Sequence, residues 1–523
     1  MKKYWISAAL VTVMMLTAPA WAIQADFTGE YRAEGTYNEH LSLMDDDDTS
    51  SDAYMGMRLR LKSLFTISDN VSLTARITGL HKRWGDDPDN SATSDSESLS
   101  GTASADYPLI RTTTTVDNEE NILLDWAYMT VKTGLGGFLV GRQKGNVWGL
   151  DFAETEGPRD RVTYVLPIQN TIIAAVYEKT RELDGNDLTV NDADIDKYYL
   201  TATQKGENFK AGFLYGFYNF KTFQDLWQNR QTAWLMDYAD ANGNIYTTTN
   251  RPYMRSEIGA HVLIPYFDGK FGPLGIKAEL DYAFGDVKYD SPYRRTPTDL
   301  EYGTLLATSG AAAAQAAISE GVENSDGDDT KKAAGYTYNV ELTYDFKGFT
   351  FMSGYAFCSG DPDQNDDKLE AFGYIEPGED WQKLAILFGR DYGTLDTLGG
   401  LGNLAGGGKT SWDGYKLYYL GVNYAISEKM NVGLIYGKSE ADKVTQADSS
   451  RAGVYAAMGV NNADWDKDHG QEYDLTFQWQ IFPNLKYNFI AGYLKAGDYW
   501  KQGDDNADLK DTYLLFHRLT VEF

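Results

Sequence analysis

The stretch Phe27-Thr28-Gly29-Glu30-Tyr31-Arg32-Ala33-Glu34-Gly35-Thr36-Tyr37 alternates without a break. Apolar, aromatic and small residues hold the odd positions; Thr, Glu and Arg hold the even ones. Successive side chains of a strand point to opposite faces, so a period of two predicts a strand with one dry face and one wet face. The pattern continues outward. Met55, Met57, Leu59 and Leu61 alternate with Arg58, Arg60 and Lys62. After the tight turn Ser68-Asp69-Asn70, Val71, Leu73, Ala75 and Ile77 alternate with Ser72, Thr74, Arg76 and Thr78. Further strands start near Asn121, Phe138, Arg161, Thr171, Ile195, Phe209, Tyr253, Leu274, Tyr336, Phe349, Gly414, Met430, Glu472, Leu485 and Thr512. The total is about eighteen, each near the length that crosses a bilayer as a barrel strand.

The connections between these segments alternate in length. Short ones include Ser68–Asn70, Gly134–Gly137, Pro167–Asn170, Gly206–Asn208, Asp268–Pro273, Lys347–Gly348, Ser427–Lys429 and Pro483–Asn484. Long polar ones lie between them, such as 85–120 and 287–332. This asymmetry predicts an all-β transmembrane antiparallel up-and-down barrel with short periplasmic turns and long extracellular loops. An even strand count leaves both ends on the periplasmic side, and pairing the first strand with the last removes the sheet edges. The soluble alternative, a β-sandwich array, gives no reason for the alternation.

Composition agrees with a barrel. Aromatic residues make up 14% of the 523, led by 37 Tyr, and there are 51 Gly. Tyr and Trp favour membrane–water interfaces. The mean hydropathy of −0.44 suits alternating strands, whose polar face offsets the apolar one. The net charge of −29 excludes nucleic acid as a partner, and the acid clusters between the periodic segments, in loops such as Asp45–Asp48.

The N-terminus reads as a secretory signal: Lys2 and Lys3, an apolar run from Ile6 to Leu16, and the small-x-small site Ala20-Trp21-Ala22. The expected division is a leader over 1–22 and one barrel domain over 23–523, in the outer membrane of a Gram-negative cell. The last strand ends on Phe523 and resembles the C-terminal signal read by the barrel-assembly machinery, an expected partner beside outer-membrane lipid and lipopolysaccharide.

No cofactor chemistry stands out. Cys358 is the sole cysteine, and no C-x-x-C-H haem site exists. The five histidines have no zinc spacing, and no Ser/His constellation is assignable. Gly406-Gly407-Gly408-Lys409-Thr410 imitates a phosphate loop but leads into a strand. Asp361, Asp363, Asn365, Asp366 and Asp367 are weak candidates for a divalent cation, lacking the turn glycine and the closing Glu of a calcium loop. Leu305–Ile318 is Ala-rich and predicts a short helix. The expectation is a non-enzymatic protein without a cofactor.

A barrel this wide is not filled by side chains and keeps an aqueous lumen, so its inward residues set selectivity. The inward candidates early in the chain are Arg32, Arg58, Arg60, Lys62, Arg76, Asp125, Arg142, Lys144, Arg159 and Arg161, with Glu30 and Glu34 as acidic partners. Later ones are Lys277, Glu279, Asp281, Glu341, Asp345, Lys416, Lys438 and Arg518. The stretch from Phe138 to Val162 is the candidate constriction. Arg142 and Lys144 share a strand face there, followed by Asp151, Glu154 and Glu156 and then by Arg159 and Arg161. Guanidinium groups stay charged and bind carboxylates in a fork, so the expected cargo is small, hydrophilic and anionic. The competing expectation is that these arginines pair with nearby carboxylates and stiffen the barrel.

Val140-Gly141-Arg142-Gln143, then Asp160-Arg161-Val162, resemble the bacterial alginate-export outer-membrane porins, as do Gly354-Tyr355-Ala356 and Ser359-Gly360-Asp361. The resemblance implies an eighteen-stranded barrel with Arg142 and Arg161 on a conduit for a polyuronate. The family's long periplasmic plug turn late in the chain is replaced here by Pro483-Asn484. That departure shifts the expected cargo from alginate to smaller solutes. The alternatives are an alginate-like polysaccharide exporter and a barrel sleeve for an electron-transfer cytochrome.

Overall fold

The computed structural model describes residues 24–40, 43, 51–84, 122–145, 148–152, 157–181, 194–220, 238–239, 245–246, 256–289, 294–295, 322–323, 330–362, 367–372, 381, 383–389, 413–444, 466–501 and 508–523. The expected leader, the acidic run Asp45–Asp48, the residues Glu154 and Glu156, the Ala-rich segment Leu305–Ile318, the glycine run Gly406–Gly408 and the candidates Asp363, Asn365 and Asp366 lie outside them.

Eighteen strands form the wall. They are β1 (Gln24–Glu39), β2 (Ser51–Ser68), β3 (Val71–Arg83), β4 (Ile122–Thr133), β5 (Gly136–Gln143) and β6 (Arg159–Ile168). Next come β7 (Thr171–Arg181), β8 (Ile195–Lys205), β9 (Phe209–Phe220), β10 (Ser256–Phe271), β11 (Leu274–Tyr289) and β12 (Tyr336–Phe346). The rest are β13 (Phe349–Cys358), β14 (Tyr415–Ser427), β15 (Met430–Glu440), β16 (Asp468–Phe482), β17 (Leu485–Ala496) and β18 (Thr512–Glu522). Each pairs antiparallel with its neighbours, and β1 pairs with β18, so the sheet closes. The seam is tied where Gly29 N donates to Phe523 O at 2.7 Å and Phe523 N to Gly29 O at 3.0 Å. Short strands at 330–333 and 368–369 extend the wall on one side, paired with each other in parallel.

The wall is apolar outside and polar inside. Leu434 is 57% exposed and Leu515 46%, whereas Arg58 is 7% and Asp125 2% exposed. Lipid covers such an apolar exterior at no cost, and closure leaves no backbone edge in the hydrocarbon. The chain is therefore a multi-pass outer-membrane barrel. No helix of the described residues is long and apolar enough to cross a membrane, which has no bearing on strands. Aromatic rows run round the outside. In one, Tyr177, Tyr198, Phe217, His261 and Phe284 are successive register partners. In another, Tyr436, Tyr473, Tyr493 and Tyr513 are. Between Tyr513 and Phe523, about 34 Å of strand tilted by about 40° gives a height of about 26 Å, close to an apolar band.

Several boundaries differ from the sequence reading, among them the end of β11 at Tyr289 and the start of β16 at Asp468. β10 runs on to Phe271, so the turn to β11 shrinks to Gly272 and Pro273, with Gly272 at φ +61°. A strand can continue there because Phe267 and Phe271 stack with parallel rings on the outside, alongside Phe209. β6 starts at Arg159 and ends at Ile168, longer at both ends than alternation alone marks.

Candidate functional site: the inner wall and two infolded segments

One sector of the inner face, from β18 through β8, carries the inward arginines, while Lys210 of β9 and Lys277 of β11 face inward outside it. Arg32 and Arg58 are register partners, two like charges side by side. They are compensated in place: Arg58 donates to Glu30 at 2.9 Å, and Arg32 lies 3.4 Å from Glu34. Glu34 also takes Arg518 of β18 at 2.8 Å, across the seam. Arg60 and Lys62 continue the inward row of β2, facing Glu30 and Thr28 across the ladder.

On β3 and β4 a register shift between Arg76 and Ile77 turns both Asp125 and Trp126 inward. Arg76 Nε then bonds Asp125 at 2.8 Å, and its guanidinium lies 3.5 Å from the Trp126 ring centre.

On β6 to β8 one carboxylate serves three bases. Glu178 lies 3.7 Å from Arg159, 3.8 Å from Arg161 and 3.9 Å from Lys197. Arg161 also donates to the carbonyls of Lys144 and Gly145, closing the exit from β5. Lys197 and Glu178 carried no functional expectation in the sequence. Their inward phase within β7 and β8 was the available signal.

Three bases expected on the inner wall lie on the outer face. Arg142 shares its face with Phe138 and Val140, which are 39% and 38% exposed, and pairs with Asp160 at 3.0 Å. The inward position beside it belongs to Gln143, which bonds Thr163 at 3.1 Å and the Arg161 carbonyl at 3.0 Å. Lys416 and Lys438 follow the outward phase of Tyr418 and Tyr436. Lys144 follows the end of β5.

The opposite sector is acidic and covered. Glu279 and Asp281 on β11, Glu341 on β12, and Glu472 and Asp474 on β16 all face inward and are buried. Two segments from the long-loop side fold in over them. Leu150 N donates to Glu279 Oε2 at 2.5 Å. In 383–389, Ala385 N donates to Asp474 at 3.0 Å, and Ile386 N and Leu387 N donate to Glu472 at 2.6 and 2.8 Å. Lys383 Nζ lies 2.6 Å from Glu341. The apolar run Leu384–Phe388 packs on the inner faces of Tyr415, Leu417 and Tyr419. The two segments meet at Phe152 and Trp381, edge to face with ring centres 5.2 Å apart.

Among the described residues no group of three or more His, Cys, Asp or Glu is placed to hold a metal ion. Of the divalent-cation candidates, Asp361 is buried within the wall's loop end, and Asp367 stands at the edge of the short strand 368–369.

No family model matches the sequence, and no curated protein matches it. Solved structures similar to the chain include three barrels. OccK8 (OprE) of Pseudomonas aeruginosa is 12% identical with a TM-score of 0.46, over 96% of this chain and 98% of that one. The outer membrane protein opdK of the same organism is 10% identical with a TM-score of 0.45, over 96% and 99%. OccAB4 of Acinetobacter baumannii is 9% identical with a TM-score of 0.45, over 96% and 100%.

Proposed function

We propose that the barrel is a porin, a diffusion channel for small hydrophilic solutes, and that its basic sector favours anions. The observation that carries this reading is the division of the inner wall. The inward arginines line β18 through β8, while Glu279, Glu341, Glu472 and Asp474 opposite are engaged in holding the infolded segments. Acid covered in this way is kept back from the open lumen, so the solute meets the basic sector directly. Low-dielectric walls then concentrate anions beside it. The ion pairs within that sector keep the guanidinium groups fixed, which supports the stiffening role as well as the steering one.

The exporter and sleeve readings gain less. The link from β16 to β17 is the two residues Pro483 and Asn484, so no periplasmic plug arises there. The segment 383–389 occupies lumen that a haem protein inside the barrel would need. Reconstitution of the purified barrel in a planar bilayer under a KCl gradient tests the proposal. A reversal potential on the chloride side is expected. A cation-selective pore, or none, overturns it.

A further inference from the structure

The docking site of 383–389 contains two glycines beside its two carboxylates. Glu472 and Asp474 point inward from alternate positions of β16 and accept three successive backbone N–H groups. Their register partners on the flanking strands are Gly437 of β15, opposite Glu472, and Gly492 of β17, opposite Asp474. A Cβ at Gly437 would stand 2.5 Å from Leu384 Cδ1. At Gly492 it would stand 2.9 Å from Asp474 Oδ1 and 3.3 Å from Ile386 Cδ1. Each acid thus faces a position emptied of side chain. Together they form a recess in the wall, floored by two carboxyl groups, into which the loop backbone fits.

We propose that this recess is a seat that sets the bore of the channel: Glu472, Asp474, Gly437 and Gly492 are positioning residues that hold 383–389 in the lumen and so fix the largest solute that passes. The proposal rests on the porin reading. Carboxylates bind N–H groups more strongly than neutral acceptors do, and successive N–H groups of a tight turn form a concavity suited to an anion. The apolar run Leu384–Phe388 buries itself from water against the same part of the wall.

The test compares the parent with Gly437→Leu, which fills the seat, and with the near-isosteric Glu472→Gln/Asp474→Asn, which removes its charge. Heat-modifiable gel mobility first shows that each barrel is closed. Single-channel conductance and the largest polyethylene glycol that lowers it then read the bore. Both should rise, conductance roughly twofold or more, as expected when a loop leaves a lumen of this strand number. The anion-to-cation ratio should stay anion-selective. Trypsin cleavage after Lys383 reads docking without any current: the parent should resist and the variants should be cut. An unchanged bore together with unchanged resistance overturns the seat. A parent that conducts nothing overturns the porin reading instead, and the cleavage assay then decides the seat by itself. If Gly437→Leu does not close, the Gln/Asn pair decides the same question through the same two readouts.

Discussion

Arg142 and Arg161 stand one rung apart on the paired strands β5 and β6 and point to opposite sides of the barrel wall. Gly141 is the register partner of Arg161, and Arg142 is the partner of Asp160. Arg161 faces inward against Glu178, and Arg142 faces outward with its guanidinium on Asp160. Two substitutions of one chemical type therefore separate. Arg142→Ala should leave the reversal potential under a salt gradient unchanged. Arg161→Ala should move it towards zero, and measuring both in one bilayer setup checks the assignment of faces.

Glu178 offers the converse experiment. It is buried and lies within 4 Å of three bases, offsetting part of their charge. Glu178→Gln keeps the shape and removes the charge. The ratio of anion to cation permeability should rise. The barrel should also lose stability by ~3 kcal/mol, the order seen when one partner of a buried ion pair is removed. Urea unfolding from lipid vesicles reads the second effect. A variant as stable as the parent and no more anion-selective would show that the cluster is screened by lumen water.

How far the sequence reaches is clear from these residues. Alternation over Phe27–Tyr37 places each side chain of β1 on its face because every odd position is apolar or small and every even one polar. Phe138-Leu139-Val140 is apolar on both phases, so nothing local tells which face is wet, and Arg142 falls on the lipid side. Trp126 escapes simple alternation for a different reason. A bulge spends one extra residue, and only a pairing register reveals it. The infolding of 383–389 left one trace, the apolar run Leu384–Phe388 inside a connection otherwise rich in polar residues and glycine. Its destination depends on Glu472 and Asp474, more than eighty residues away, and no local rule links them.

The exterior is tested on the lipid face. Leu434 is an exposed outward residue of β15, two positions along the strand from Tyr436 of the second aromatic row. Leu434→Arg puts a charge into the hydrocarbon band between one aromatic row and the midplane and should cost about 1–2 kcal/mol, intermediate between the interfacial and midplane penalties. Unfolding midpoints in vesicles measure it. A loss near zero would place Leu434 at the interface and shift the membrane band along the barrel.

Gly149 decides whether the second infolded segment is held from the wall. Its backbone sits at φ +93°, a region L side chains avoid, and a Cβ there would stand 2.5 Å from Glu279 Oε2. Gly149→Ala therefore meets both backbone strain and the carboxylate that receives Leu150 N. The expected result is that this hydrogen bond breaks, Phe152 leaves Trp381, and conductance increases. Glu279→Gln keeps an acceptor in place without the charge, so it should widen the channel less. The order parent, Gln variant, Ala variant in rising conductance is the signature of a latch on Glu279. Equal conductance in all three would mean that the Phe152 and Trp381 contact holds itself by packing alone.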